Sequence, residues 1–141
     1  LTGLQRFGAY LTLLFEADML FGNEDRHLNN IAVLRRGEGF DYCPLFDFGA
    51  GLLSNIRDYP LDIDPKAHIR LLRARPLDTT FTRQVHAAQS LYGPQFAWHF
   101  TPADLQNALA EPLTFYAQRD AAYIAERAAV CVEMQQKKMK K

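Results

Sequence analysis

Along the first twenty positions the apolar residues Leu4, Phe7, Leu11, Leu14 and Phe15 recur three and four apart. That spacing places them on one face of an amphipathic helix over 1–21, which ends near Gly22. The pattern then changes. Ile31-Ala32-Val33-Leu34-Arg35-Arg36 runs apolar to basic, Gly37-Glu38-Gly39 has turn chemistry, and Phe40 to Phe46 mixes aromatic and apolar residues. This predicts a β-hairpin with a three-residue, Gly-containing connection. Residues 50–60 carry no periodicity and are expected to be loop. Helical spacing returns after that. Asp64-Pro65 is an N-cap followed by Pro, opening a helix through Ile69 and Leu72 to about Arg75. Asp78 caps a second, with Phe81, Val85, Ala88 and Leu91 on one face and Gly93 closing it. Thr101-Pro102-Ala103-Asp104 has capping-box form ahead of Leu105 and Leu109. Pro112 is expected to start the longest helix, through Tyr116, Tyr123, Ile124, Arg127, Cys131 and Met134. The expected organisation is one mainly α domain over 1–136, helical over 61–136, with a short hairpin and a basic tail at 137–141.

The loop and turn flanking the hairpin hold the candidate chemistry. Phe21-Gly22-Asn23-Glu24-Asp25-Arg26-His27-Leu28-Asn29-Asn30 contains a carboxylate and, five residues on, an amide; Leu45-Phe46-Asp47-Phe48-Gly49 adds a second carboxylate in an Asp-Phe-Gly turn. Enzymes that transfer a phosphoryl group from Mg-ATP use such a set: one acid accepts the proton of the attacking hydroxyl, and an amide and a second acid hold the metal. A hairpin returns the chain close to where it left, so Asp47 is expected beside Asn30. Two protein oxygens, completed by phosphate and water, suit Mg²⁺. His27 can support the loop by hydrogen bonding, contact a phosphate, or pack. Arg26 can pair with Asp25 or with a phosphate, and Asn23 and Glu24 read as turn formers.

At these residues the chain resembles the C-terminal lobe of HipA-like serine/threonine kinases. Protein kinases of the common eukaryotic type read His-Arg-Asp; here Asp25 comes first and His27 last, an order shared by HipA-like proteins and the phosphatidylinositol 3-/4-kinases. The resemblance implies a protein-kinase-like C-lobe, with Asp25 as catalytic base, Asn30 and Asp47 as Mg²⁺ ligands, and ATP and a protein Ser or Thr hydroxyl as substrates. It also implies an N-terminal kinase lobe acting in cis or in trans, and a helix-turn-helix antitoxin partner as in toxin-antitoxin pairs. Where many HipA proteins carry Lys just before the second-motif Asn, this chain has Asn29, and its Asp-Phe-Gly form differs from members lacking the Gly. Ala74-Arg75-Pro76-Leu77 and Ala87 to Gly93 are also similar to segments of short HipA-like proteins.

The sequence contains no Gly-rich phosphate loop, no P-loop and no Val-Ala-Ile-Lys-type strand. With the start at Leu1, this points to a C-lobe excised from its N-lobe and a poor ATP binder alone. Composition narrows the partners. Sixteen acidic and sixteen basic side chains cancel, so no general field draws nucleic acid or an anionic membrane. Cys43 and Cys131 lack metal-ligand spacing and read as free thiols of a cytoplasmic protein. Tyr92, Phe96, Trp98 and Phe100 read as a packed seam between helices, His86 and His99 as structural or exposed, and Ser54 as a loop serine or a phosphosite. Two other functions fit the same residues: a phosphatidylinositol-kinase-like lobe, for which residues 50–60 supply only Arg57, and a non-catalytic interaction module derived from a kinase.

Overall fold

The computed structural model describes residues 2–140. Among these residues the architecture is mainly helical, with five α-helices covering about half of them and one small antiparallel hairpin. Helix α1 (Phe7–Phe21) leads into a single 3-10 turn at Leu28–Asn30, then β1 (Val33–Arg36) and β2 (Gly39–Tyr42); α2 (Pro65–Ile69), α3 (Phe81–Tyr92), α4 (Pro102–Leu113) and α5 (Gln118–Met139) follow. Helix α1 packs chiefly on α3 and also on α5. Between them lies the core of Phe15, Met19, Leu53, Ile69, Leu72, Phe81, Val85 and Cys131.

Helix α1 begins at Phe7, so Leu4 lies outside it. It is buried on more than its apolar face: Thr12, Glu16 and Asp18 are enclosed along with Leu14, Phe15 and Leu20. The Glu16 carboxylate accepts from Gln89 Nε2 at 2.6 Å and from the backbone N–H of Phe96 at 2.6 Å. It thereby fastens α3 and the chain after it to α1. Gly22 ends the helix in the left-handed region, at φ 63°. Its N–H donates to Met19 O at 3.2 Å, and the next N–H, of Asn23, donates to Asp18 O at 2.8 Å. This is the Schellman closure, which favours glycine at that position.

Several boundaries differ from those expected. The hairpin pairs Arg36 with Gly39, leaving a two-residue connection of Gly37 and Glu38, with Gly37 at φ 58°. Helix α2 starts as anticipated, with Asp64 accepting from Lys66 N–H at 2.9 Å, but stops at Ile69. Beyond it Leu72 and Ala74 are buried, and the Arg73 N–H donates to Glu24. Tertiary burial and that side chain replace the helical ladder. Asp78 does not cap α3: the N-cap is Thr80, whose N–H donates to Asp78 at 2.8 Å. Leu91 faces outward, leaving Phe81 and Val85 as the apolar anchors of that helix. The Thr101–Asp104 capping box forms as expected. Pro112 lies inside the last turn of α4 and does not open the longest helix, which starts at Gln118. Phe115 and Tyr116 lie in the exposed link between the two. Residues 137–139 continue α5 instead of forming a tail, and Lys137 pairs one turn back with Glu133. Two cations in the last turn complement the helix dipole; Lys141 lies outside the described residues.

Candidate active site

The loop between α1 and β1 is organised by a guanidinium. Arg26 is fully buried and forks onto Asp18, with Nε to Oδ2 and Nη2 to Oδ1 both at 2.9 Å. Its Nη1 donates both to Asn30 O, at 3.0 Å, and to Phe46 O, at 2.9 Å. Its guanidinium also lies 4.9 Å from the Phe48 ring centroid. One side chain therefore ties the end of α1, the end of the loop and the strand-like run into the Asp-Phe-Gly turn. The expectation that Arg26 pairs with Asp25 or a phosphate is corrected: its partner is Asp18. The physical reason is that Asp18 sits in an apolar helix, where an unpaired carboxylate is costly. Burial pushes the Asp18 carboxyl above the ordinary carboxylate range, and hydrogen bonds from Arg26 and Asn23 pull against that rise.

Asn23 and Glu24 are also more than turn formers. Asn23 is buried; its Nδ2 donates to Asp18 Oδ1 at 2.7 Å and, more loosely, to Asp47 O at 3.5 Å. Glu24 accepts from the Tyr59 hydroxyl and, at 2.7 Å, from the Arg73 N–H. The phenol is pushed well above its usual range by burial first and by this carboxylate second. Glu24 thus joins the loop to the segments on its far side.

The expected site residues lie around this network. Asn30 ends the 3-10 turn, is buried, and its Nδ2 donates to Asp25 O at 3.3 Å. Asp25 itself is exposed and its carboxylate faces Arg75 Nη1 at 3.8 Å. His27 acts through its backbone, its carbonyl accepting the Asn30 N–H at 2.9 Å. Among the described residues its ring makes no hydrogen bond. Asp47 is exposed and adopts φ 57°, a left-handed conformation that short polar side chains tolerate better than most. Leu52 and Leu53 follow at φ 56° and 58°, where bulky residues are genuine outliers. They are held there because Leu52 N–H donates to Phe21 O at 2.6 Å and Leu53 O accepts from Arg127 Nη1 at 2.7 Å. The loop after the Asp-Phe-Gly turn is therefore pinned to α1 and α5. Ser54 is exposed and its hydroxyl donates to Gly49 O.

Fit to a divalent cation rests on the donor set. Among the described residues no group of three or more His, Cys, Asp or Glu side chains is placed to hold a metal. With Nδ2 committed to Asp25 O, the Asn30 Oδ1 receives no hydrogen bond among the described residues, and neither does either oxygen of the Asp47 carboxylate. Two hard oxygen donors left open this way suit Mg²⁺, which normally takes the rest of its shell from phosphate and water.

The aromatic run does not form one seam. Phe96 and Trp98 pair at 5.7 Å, while Tyr92 lies over Gly8, where any Cβ would meet its ring. His86 and His99 are exposed. Cys43 and Cys131 are free, and burial pushes the Cys131 thiol up to about 12. No helix among the described residues is long and apolar enough to cross a membrane. An apolar groove of about 380 Å³ runs between the pinned loop and helices α4 and α5.

Comparison with protein-family models, with curated proteins and with solved structures finds no match.

Proposed function

We propose that this chain is the catalytic lobe of a HipA-like kinase, which moves the γ-phosphoryl group of ATP to a protein Ser or Thr hydroxyl. The observation that carries the reading is the bridging by Arg26 Nη1 of Asn30 O and Phe46 O, which brings the amide-bearing loop against the acid-bearing turn.

In this reading Asp25 is the general base. Its carboxylate is exposed to an incoming hydroxyl, while its carbonyl is held by Asn30. Asn30 and Asp47 would hold Mg²⁺, which would supply neutralisation of the phosphate charge. Arg26, Asp18 and Asn23 keep those ligands in place without touching the reacting atoms. An N-terminal lobe, in cis or in trans, covers the nucleotide. The half-exposed Phe40 and Phe46 and the exposed Leu28, all near the loop and hairpin, fit a surface that another lobe covers.

The test is phosphoryl transfer from labelled Mg-ATP by the gene product and its Asp25→Asn variant. General-base assistance is worth about 10²–10⁴-fold, so the variant should lose at least that lower figure. Its thermal midpoint should stay unchanged, because Asp25 is exposed and its ion pair with Arg75 is on the surface. Transfer by Asp25→Asn at the wild-type rate would remove the reading.

A further inference from the structure

The phosphoryl group in transfer carries negative charge on its oxygens, and sites that move it commonly set an Arg or Lys beside the metal to meet that charge. The Gly22–Asn30 loop has no lysine, and its one arginine, Arg26, is fully buried and spent on Asp18 and two carbonyls. The cation nearest the proposed base comes instead from a distant part of the chain. Arg75 Nη1 stands 3.8 Å from Asp25 Oδ1, and both side chains are more than half exposed.

The backbone that carries Arg75 is anchored to the loop and to α3. Two residues before it, the Arg73 N–H donates to Glu24 Oε1 at 2.7 Å. The adjacent Ala74 is buried, and its N–H donates to Thr79 O at 3.0 Å. Buried Gln84, on α3, donates from Nε2 to Arg75 O at 2.8 Å. Its Oε1 accepts from the N–H groups of Leu77 and Asp78. A short segment clamped on both sides thus presents a free guanidinium to the base.

We infer that Arg75 is a catalytic residue that binds the transferred phosphoryl group, an inference that rests on the kinase reading of the same site. An acceptor hydroxyl on Asp25 lies about 2.6–3.2 Å from the carboxylate, and the phosphorus about 3–3.5 Å beyond it. The Arg75 side chain is long enough to swing from the base to the oxygens on that phosphorus. The ion pair with Asp25 is exposed and weak, so it exchanges readily for the stronger charge-assisted bonds of guanidinium to phosphate. In the step itself the acceptor oxygen forms its bond to phosphorus as the bond from phosphorus to the bridging oxygen breaks. The electron pair leaves with ADP and the hydroxyl proton passes to Asp25. Arg75 releases Asp25 for that proton and takes up the phosphoryl charge, with no change in its own protonation.

The experiment compares the gene product with its Arg75→Ala and Arg75→Lys variants. It measures the rate constant for phosphoryl transfer, and the affinity for Mg-ADP with and without aluminium fluoride as a mimic of the group in flight. Arg75→Ala should bind Mg-ADP as the wild type does, lose the tightening that aluminium fluoride gives, and transfer on the order of 10²-fold more slowly. Arg75→Lys should recover part of both, and added guanidinium ion should speed the alanine variant. If Arg75→Ala keeps the wild-type rate and aluminium fluoride effect while Asp25→Asn is inactive, the role of Arg75 is wrong and the kinase reading stands. If the wild type neither transfers phosphoryl nor binds Mg-ADP more tightly with aluminium fluoride, both fall together.

Discussion

Replacing Arg26 by methionine keeps most of the side-chain volume and removes every hydrogen bond the guanidinium makes. Asp18, fully buried, would keep only its bond from Asn23, and the carbonyls of Asn30 and Phe46 would lose their shared donor. Breaking a buried pair from one side costs about 3–5 kcal/mol, and each stranded carbonyl adds as much as about 1–3 kcal/mol. Local relaxation and water entry offset part of this, so at least about 3 kcal/mol should be lost. A domain has about 5–15 kcal/mol in total, and the variant should be marginal. Urea unfolding is the assay, with a midpoint lower by about 1–3 M at an unchanged slope. The control is the double variant Asp18→Leu with Arg26→Met. It removes the uncompensated carboxylate, so it should be more stable than Arg26→Met alone although it carries more changes. A single variant that loses less than about 1 kcal/mol, or a double variant that loses the sum of the two singles, would refute the claim that this pair organises the loop.

Two further outcomes follow from the packing. Gly22→Ala should lose about 1–2 kcal/mol from its left-handed backbone alone, and more if Leu72 cannot yield, since an added Cβ would lie 2.8 Å from Leu72 Cδ1; chemical denaturation checks it. In thiol labelling at pH 8, Cys43 should react in the folded protein and Cys131 only on unfolding. Raising the Cys131 pKa from 9.0 to about 12 lowers its thiolate fraction about 10³-fold. Because the folded state holds that proton more tightly than the unfolded one, its contribution to stability is complete below pH 9 and is lost as pH rises through about 12.

Much of the helical framework was legible in local signals. Gly22, Asp64-Pro65, Thr101 with Asp104, and Gly93 all mark helix ends where capping chemistry puts them. The errors came where tertiary contacts outweigh local pattern. Helix α2 stops early because Leu72 and Ala74 turn into the core, and Pro112 is absorbed by the last turn of α4. The candidate residues Asp25, Asn30 and Asp47 were picked out as a set by their order and spacing alone. What supports them was not, since Asp18 and Arg26 are eight residues apart and join only through the fold. One signal was available: a carboxylate in the apolar run Ala17-Asp18-Met19-Leu20-Phe21 has to be buried and therefore paired. Glu24 and Arg75 had no such signal, because the partners of Glu24 lie 35 and 49 residues away and Arg75 reaches back to Asp25.

The central claim is that Asn30 and Asp47 hold one metal–nucleotide complex beside Asp25. Paramagnetic broadening by Mn²⁺ with ADP, read on the nitrogen-15-labelled gene product, tests it most directly. The account predicts that the side-chain amide of Asn30 and the backbone amides of Asn30 and Asp47 broaden first, at metal levels that leave α4 untouched. Asp47→Ala should abolish the effect. Sharp signals from Asn30 and Asp47, with broadening centred instead on a cluster such as Asp62 and Asp64, would contradict it.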